Sequence, residues 1–586
     1  MNKQWDLSIL YNGFDTPEFA ADMAALDTAI ADVIAFSSSL STLTPEELLV
    51  GYIGLETKVN SLAEKLIIYA NLRYSANTAD TEAASTMGVL MGKLSATAAP
   101  SASINKAIAK IENIEEIIEQ NSVLKEHSYR LLTIVKNSEH LLSDAEESLF
   151  AEMDISGATA WSDLQSNLTS SLMVDYNGEQ ITLSSVRNLA YDPDGEVRKA
   201  AFEAELAAYP KVETAVAFAL NSIKLQVINE AARRGYSSPL AKALDNSAMK
   251  QETLDALLTA MQEFMPAFRK YLRAKAKALG HEGGLPWYDL FAPMGKSDKK
   301  YTTEEARDYL LNIFAKFDTE LHDMVKEAFD NSWIDFFPRE GKVGGAFDCA
   351  VHSAGQSRVL TNFDGSFSDI VTLAHELGHS FHDRQVYKNS PLNREYSMPV
   401  AETASTFNEV LVMNTAISEC ADREVKLALI ESQLMDATQI IVDIYSRYLF
   451  EASVFANRPT EFLSAERCCE LMLDAQKKAY GDGLDESCMH PYMWLCKGHY
   501  YSGGLSFYNY PYAFGGLFAR GIYAKYLEAG KPFVQTYKQM LRATGTSTVE
   551  DAAKVCGIDL TDVNFWRAGL ASIAEQIDEF CQLVNY

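Results

Sequence analysis

The chain has 586 residues, 47% of them apolar and 22% charged, with a formal net charge of −29. That length exceeds one ordinary compact core, so two or more domains or lobes are expected, and the apolar content excludes a mostly disordered chain. The acidic balance repels phosphate backbones and disfavours nucleic acid as a partner.

No apolar run reaches the roughly eighteen residues of a membrane span, and the first residues lack the apolar core of a signal peptide. The eight cysteines form no C-x-x-C pair, as expected of free thiols in a reducing compartment. The cytoplasm is therefore the expected location.

The first two hundred residues read as helix after helix. Thr44-Pro45-Glu46-Glu47 combines a capping residue, a proline at the first helical position and a capping-box glutamate. Val59, Leu62, Leu66 and Tyr69 then recur at the spacing of one helix face. The turn Asp192-Pro193-Asp194-Gly195 marks a division, with an N-terminal helical region at 1–190 and a catalytic region at 191–586. Glu213 to Glu230 is again helical by pattern, and Thr302 with Glu305 repeats the capping box. Strand signals are scarce: Gly344 to Phe347 begins one, and Arg358 to Phe363 is a second, ended by Asp364-Gly365. The fold expected is mainly α with a small sheet beside the segment that follows.

That segment contains His375-Glu376-Leu377-Gly378-His379, an H-E-x-x-H pattern behind a possible Ser366/Asp369 capping box. Residues four apart share a helix face, so both imidazoles reach one ion, and Glu376 is placed to touch a water on it. Catalytic zinc needs a third protein ligand. Gln385 stands where a third histidine would lie, which excludes that class, and a glutamate on a second helix is the alternative. Glu402 fits best: Pro399 starts its helix, and the small residues after it permit close packing. Glu395 is a rival that precedes the proline. Glu409 is a candidate to orient a ligand histidine, and His382 reads as a packed or supporting residue rather than a ligand. Zinc suits the ligand types, one ion per chain, although cobalt or manganese can substitute.

HELGH followed by Ala401-Glu402-Thr403-Ala404-Ser405-Thr406 resembles the thimet-oligopeptidase family of zinc metallopeptidases, and within it the oligoendopeptidase F branch. Leu285-Pro286-Trp287-Tyr288, Val359-Leu360-Thr361-Asn362-Phe363 and Gly557-Ile558-Asp559-Leu560 agree. The resemblance covers most of the chain. It implies a helical two-lobed peptidase with a thermolysin-like core and a site in a channel that admits peptides. It also implies zinc on His375, His379 and Glu402, with Glu376 as catalytic base. The family's His- and Tyr-rich segment falls at His499 to Tyr512, where His499 and Tyr510 match best and Tyr508 next, while Tyr501 and Tyr512 stay open. The spacing from the histidine to the tyrosines departs from the family pattern.

The expected activity is cleavage of internal bonds in oligopeptides by metal-activated water, with His499 and a tyrosine hydroxyl supporting the oxyanion. The strand Arg358 to Phe363 is expected to pair with the extended substrate, and Gly503-Gly504 to let its loop close. A zinc carboxypeptidase or dipeptidase, and a catalytically weak peptide-binding protein, are the alternatives. Composition leaves oligomeric state open.

Overall fold

The computed structural model describes residues 2–296 and 299–586, which are predominantly helical. They group into two compact units, each made from three stretches of chain. The first comprises Met1–His140, Asp298–Val412 and Lys525–Ile558, and the second Leu141–Ser297, Met413–Ala524 and Asp559–Tyr586. Residue 190, the expected division, lies inside the second unit in the short 3-10 turn Leu189–Tyr191. Among the described residues no helix is long and apolar enough to cross a membrane.

Two small sheets are present. A hairpin in the second unit pairs β1 (Met173–Tyr176) with β2 (Glu179–Thr182). In the first unit β3 (Ile334–Asp335), β4 (Phe347–Val351) and β5 (Gln356–Leu360) form a sheet in the order β3-β5-β4. The hairpin was not expected from the sequence. Its signal is Asn177-Gly178, both at positive φ (52° and 84°), the backbone that a two-residue hairpin turn demands.

In the first unit the helix Pro45–Ala76 opens with the Thr44/Glu47 capping box. It buries Val59, Leu66 and Tyr69, while Leu62 is half-buried. Tyr11, Phe14, Phe19 and Tyr69 meet edge to face there, with the Tyr11 and Tyr69 centroids 5.3 Å apart. Val351 of β4 and Leu360 of β5 belong to the same core, so these N-terminal helices back the sheet.

Strand β5 is hydrogen-bonded on both sides, parallel to β3 and antiparallel to β4. It has no free edge for a peptide, which corrects the expectation for Arg358 to Phe363. The β-former-rich run is the central strand because it is the buried one. The edge strands are β3, whose flanks are hydrogen-bonded by Lys3 and Asp6, and β4.

The helix Phe367–Val386 carries the H-E-x-x-H pattern. Its Ser366/Asp369 capping box is present, and Asp369 Oδ2 also accepts from the N–H groups of Asp364 (2.8 Å) and Gly365 (2.9 Å). The glutamate helix starts with Met398–Ala401, breaks at Glu402 (φ −85°, ψ 8°) and resumes as Thr403–Glu419. The sequence had suggested one continuous helix. Glu402 instead sits in the sparsely populated bridge region that active-site residues often occupy.

The two helices meet at Gly378. A Cβ there would lie 2.5 Å from Ser405 Cα and 2.6 Å from the carbonyl oxygen of Ala404. Both neighbours are backbone, so nothing can rotate aside. Glycine costs about 1 kcal/mol of helix propensity relative to alanine, and close packing is its return here. Behind the glutamate helix, Phe407 packs between Phe317 (5.1 Å) and Tyr537 (4.9 Å).

In the second unit the helices Gln251–Ala278 and Val563–Leu583 pack together, with Tyr271 and Phe580 centroids 5.0 Å apart. Lys224 Nζ and Glu451 Oε1 form a fully buried ion pair at 2.6 Å.

Gly378→Ala is expected to lower stability by about 1–3 kcal/mol in chemical denaturation despite alanine's better helix propensity, because it forces the two helices apart. An unchanged midpoint would mean that the helices separate freely.

Candidate metal centre

On the Phe367–Val386 helix, His375 and His379 present their Nε2 atoms 3.2 Å apart. Glu402 Oε2, arriving at the break in the second helix, lies 3.3 Å from His375 Nε2 and 3.4 Å from His379 Nε2. The three atoms form a nearly equilateral triangle. Zinc bonds of about 2.0–2.1 Å at tetrahedral angles place ligand atoms about 3.3–3.4 Å apart, so the triangle matches such an ion in size and in ligand type.

The hydrogen bonds around the triangle set its polarity. Glu409 Oε1 accepts from His375 Nδ1 at 2.6 Å, which leaves the His375 Nε2 lone pair facing the triangle. Ser405 Oγ donates to Glu402 Oε2 at 2.8 Å, and Asn408 Nδ2 donates to the Ala374 carbonyl at 3.1 Å, tying the helices together. Burial pulls the His375 pKa down, but Glu409, Glu376 and Glu402 carry it up to about 9. Burial raises the Glu402 carboxyl, yet the two imidazoles and Ser405 bring it down to about 2. Both shifts describe a hollow whose field favours a positive charge.

Glu376 is buried, and a carboxylate oxygen of it lies within 4.8 Å of both imidazole ligand atoms. Burial raises its pKa against the pull of His375 and His379. A raised carboxyl pKa is what a base working near neutral pH requires. These groups border a cavity of about 420 Å³ that also touches Phe347 and Asp348 of β4, Asp383 and Tyr396.

His382 is fully buried, stacked on Tyr396 at 4.1 Å, with Nε2 2.8 Å from Thr544 Oγ1. It is a packed residue. Gln385 contacts Glu320 and Lys388 instead. Sequence reasoning missed the pair Asp348 and Asp383. Ser380 Oγ donates to Asp348 at 2.5 Å, and Tyr396 OH donates to Asp383 at 3.1 Å. Burial and mutual repulsion push the Asp348 pKa well up, and burial raises that of Asp383, so the two carboxyls hold a proton between them. Nothing in the sequence joins residues so far apart.

The remaining expected residues belong to the second unit. His499 and Tyr508 stack at 5.6 Å, and Tyr512 OH lies 3.4 Å from His499 Nε2. Burial, then Arg447 and Lys497, lower the His499 pKa and favour the neutral ring. The Tyr508 hydroxyl has no hydrogen-bond partner among the described residues. Tyr510 is buried, its hydroxyl 3.0 Å from Ser247 Oγ, and Tyr501 donates to the Trp494 carbonyl at 3.0 Å. Glu451, also missed, accepts from the Phe507 N–H at 3.0 Å and from Asn509 Nδ2 at 2.9 Å. It thereby grips both neighbours of Tyr508 and holds Phe507 at φ 55°.

A hollow of two imidazoles and a carboxylate, with a buried glutamate at its side, has the donor set and the size of a possible metal site. Comparison with known proteins places the chain more closely. Residues 188–572 match peptidase family M3 and residues 109–173 match the N-terminal region described as oligopeptidase F; the chain belongs to peptidase family M3. It is 28% identical to oligopeptidase PepF of Bacillus subtilis over 490 residues, covering 81% of this chain and 71% of the relative. It is 25% identical to an oligoendopeptidase F homolog of Lactococcus lactis over 605 residues, covering 99% and 97%. The fold is shared with the crystal structure of oligoendopeptidase F from Enterococcus faecium (TM-score 0.72, 19% identity, 97% and 99% coverage). It is also shared with a Chlamydophila abortus structure (TM-score 0.85, 22% identity, 99% and 98% coverage).

Glu409→Ala is expected to weaken metal affinity about 10–100-fold in a chelator-competition titration, by freeing the His375 ring; unchanged affinity would remove its orienting role. Asp348→Asn is expected to flatten the pH dependence of stability. The raised carboxyl pKa means that the folded state holds a proton the unfolded chain releases above about pH 4, so stability falls as pH rises from there. Denaturation midpoints from pH 5 to 9 would read this, and equal slopes in both proteins would count against the shared proton.

Proposed function

We propose that the chain is a zinc-dependent endopeptidase that hydrolyses internal bonds of oligopeptides, with its catalytic region at 191–586. The observation that carries this is the triangle of His375, His379 and Glu402 with Glu376 beside it. The span of the peptidase match and the names of the relatives support the catalytic region and the endopeptidase reading. The eight cysteines are free thiols, which supports the cytoplasm as the location.

Bound at the triangle, zinc would polarise the scissile carbonyl and acidify the attacking water. Glu376 takes the proton from that water and delivers it to the departing amine. The β4 edge aligns the extended peptide by backbone pairing, which recognises a strand without strict choice of side chain. His499, Tyr508 and Tyr510 support the developing oxyanion and the substrate backbone. Tyr508 is the favoured hydroxyl donor because no protein group claims it, and the Tyr510 hydroxyl, already engaged by Ser247, suits a positioning role.

The test is an end-blocked, internally quenched peptide with and without chelator and added zinc. Cleavage that chelator abolishes and zinc restores is expected. Cleavage confined to peptides with a free C-terminus would make the protein a carboxypeptidase. Glu376→Gln should retain metal and lose about 10²–10⁴ in kcat. Tyr508→Phe should lower kcat about 10²-fold with little change in KM, and a change in KM alone would reassign Tyr508 to positioning.

A further inference from the structure

The second unit holds a separate cavity of about 290 Å³ whose charges do not balance. One side is aromatic. Tyr191 and Phe291 meet there at 5.0 Å, with Phe202 and Trp287 beside them. The other side carries Arg187, His490, Lys497 and Gln439.

Most of this charge is already matched. Arg187 Nη1 meets Glu205 Oε1 at 2.6 Å and the Tyr209 hydroxyl at 3.2 Å. Arg198, also on the wall, pairs with Asp289 at 2.8 Å. Nearby, Arg447 pairs with Asp443 at 2.5 Å.

Lys497 is left over. Its ammonium has no hydrogen-bond or ion-pair partner among the described residues, although the side chain is half-buried. Burial lowers its pKa, Arg447 and Arg187 add repulsion, and Asp443 and the neighbouring Cys496 act against it. With Arg187 and Arg447 each matched by a carboxylate, one positive charge remains. This occurs in a chain whose net charge is −29. Two further polar side chains line the cavity. His490 is 1% exposed, its Nε2 lies 3.1 Å from Glu205, and its Nδ1 is buried without a partner. The Gln439 side-chain amide also has no partner among the described residues.

A cation drawn out of water needs a counter-charge, and buried polar atoms need partners. One uncompensated ammonium calls for a monoanion, and an aromatic wall calls for an apolar body. We propose that this cavity binds a small monocarboxylate, with the carboxylate on Lys497 and its body against Tyr191, Phe202, Trp287 and Phe291. The ligand is of amino-acid size, either a free organic acid or the C-terminal residue of a short peptide.

The test is calorimetric titration of the full chain with phenylacetate and with glycylphenylalanine. Saturable binding is expected that survives His375→Ala, which separates it from carboxylate binding at the metal centre. It should weaken at least tenfold in Lys497→Met and return in Lys497→Arg, with unchanged circular dichroism. Tighter binding of the dipeptide would identify a peptide terminus, and tighter binding of phenylacetate a free acid. The proposal is overturned if neither probe binds, if Lys497→Met binds as wild type does, or if phenylacetamide or inorganic phosphate binds as tightly as phenylacetate.

Discussion

The approach of two helices at Gly378 is the constraint on which the first unit depends. Only a bare Cα lets the backbone at Ala404 and Ser405 come so near. That proximity brings Glu402 within 3.4 Å of two imidazoles on the facing helix. The Asn408 amide on Ala374 and the Glu409 carboxylate on His375 repeat the tie further along. The remaining packing, from the N-terminal helices behind the sheet to Phe407 between Phe317 and Tyr537, holds that approach in place. Three electron-rich atoms so close repel one another in a partly dry site. The fold therefore carries a standing demand for a cation, and this is why a metal centre is a more economical account than two surface histidines on an ordinary helix.

In the second unit the corresponding fixture is the buried pair of Lys224 and Glu451. A buried ion pair contributes little net stability once desolvation is counted, but its geometry is definite. Glu451 spends both carboxylate oxygens on the chain around Tyr508. The left-handed backbone at Phe507 is held by that grip. Local strain next to a residue with a free hydroxyl is the pattern expected where a side chain must be aimed rather than merely packed.

Much of the centre was legible in the sequence because its spacing is helical. His375, Glu376 and His379 follow from one period, and the caps at Thr44, Thr302 and Ser366 from local hydrogen bonding. Gly378 was legible only as a letter in the motif; its reason appears once Ser405 stands against it. The strands were harder. Arg358 to Phe363 looked like a substrate partner for the very composition that makes it the covered strand, while the edge strand β4 is poor in β-formers and carries Asp348 and Cys349. The hairpin β1–β2 carries its signal locally, in Asn177-Gly178. Glu451, Asp348 with Asp383, and Lys497 gain meaning from partners or cavities that are distant in sequence, and no local pattern announces them.

The threefold division of each unit has a consequence for synthesis. The helix Phe367–Val386 rests on Thr544 through His382, and Phe407 rests on Tyr537, so these contacts stay unmade until that late stretch has left the ribosome. The second unit waits longer still, because Phe580 must reach Tyr271. For most of translation the nascent chain therefore carries two unfinished cores at once, each exposing apolar helix faces. Apolar surface exposed in this way is what makes a partly folded chain prone to aggregation.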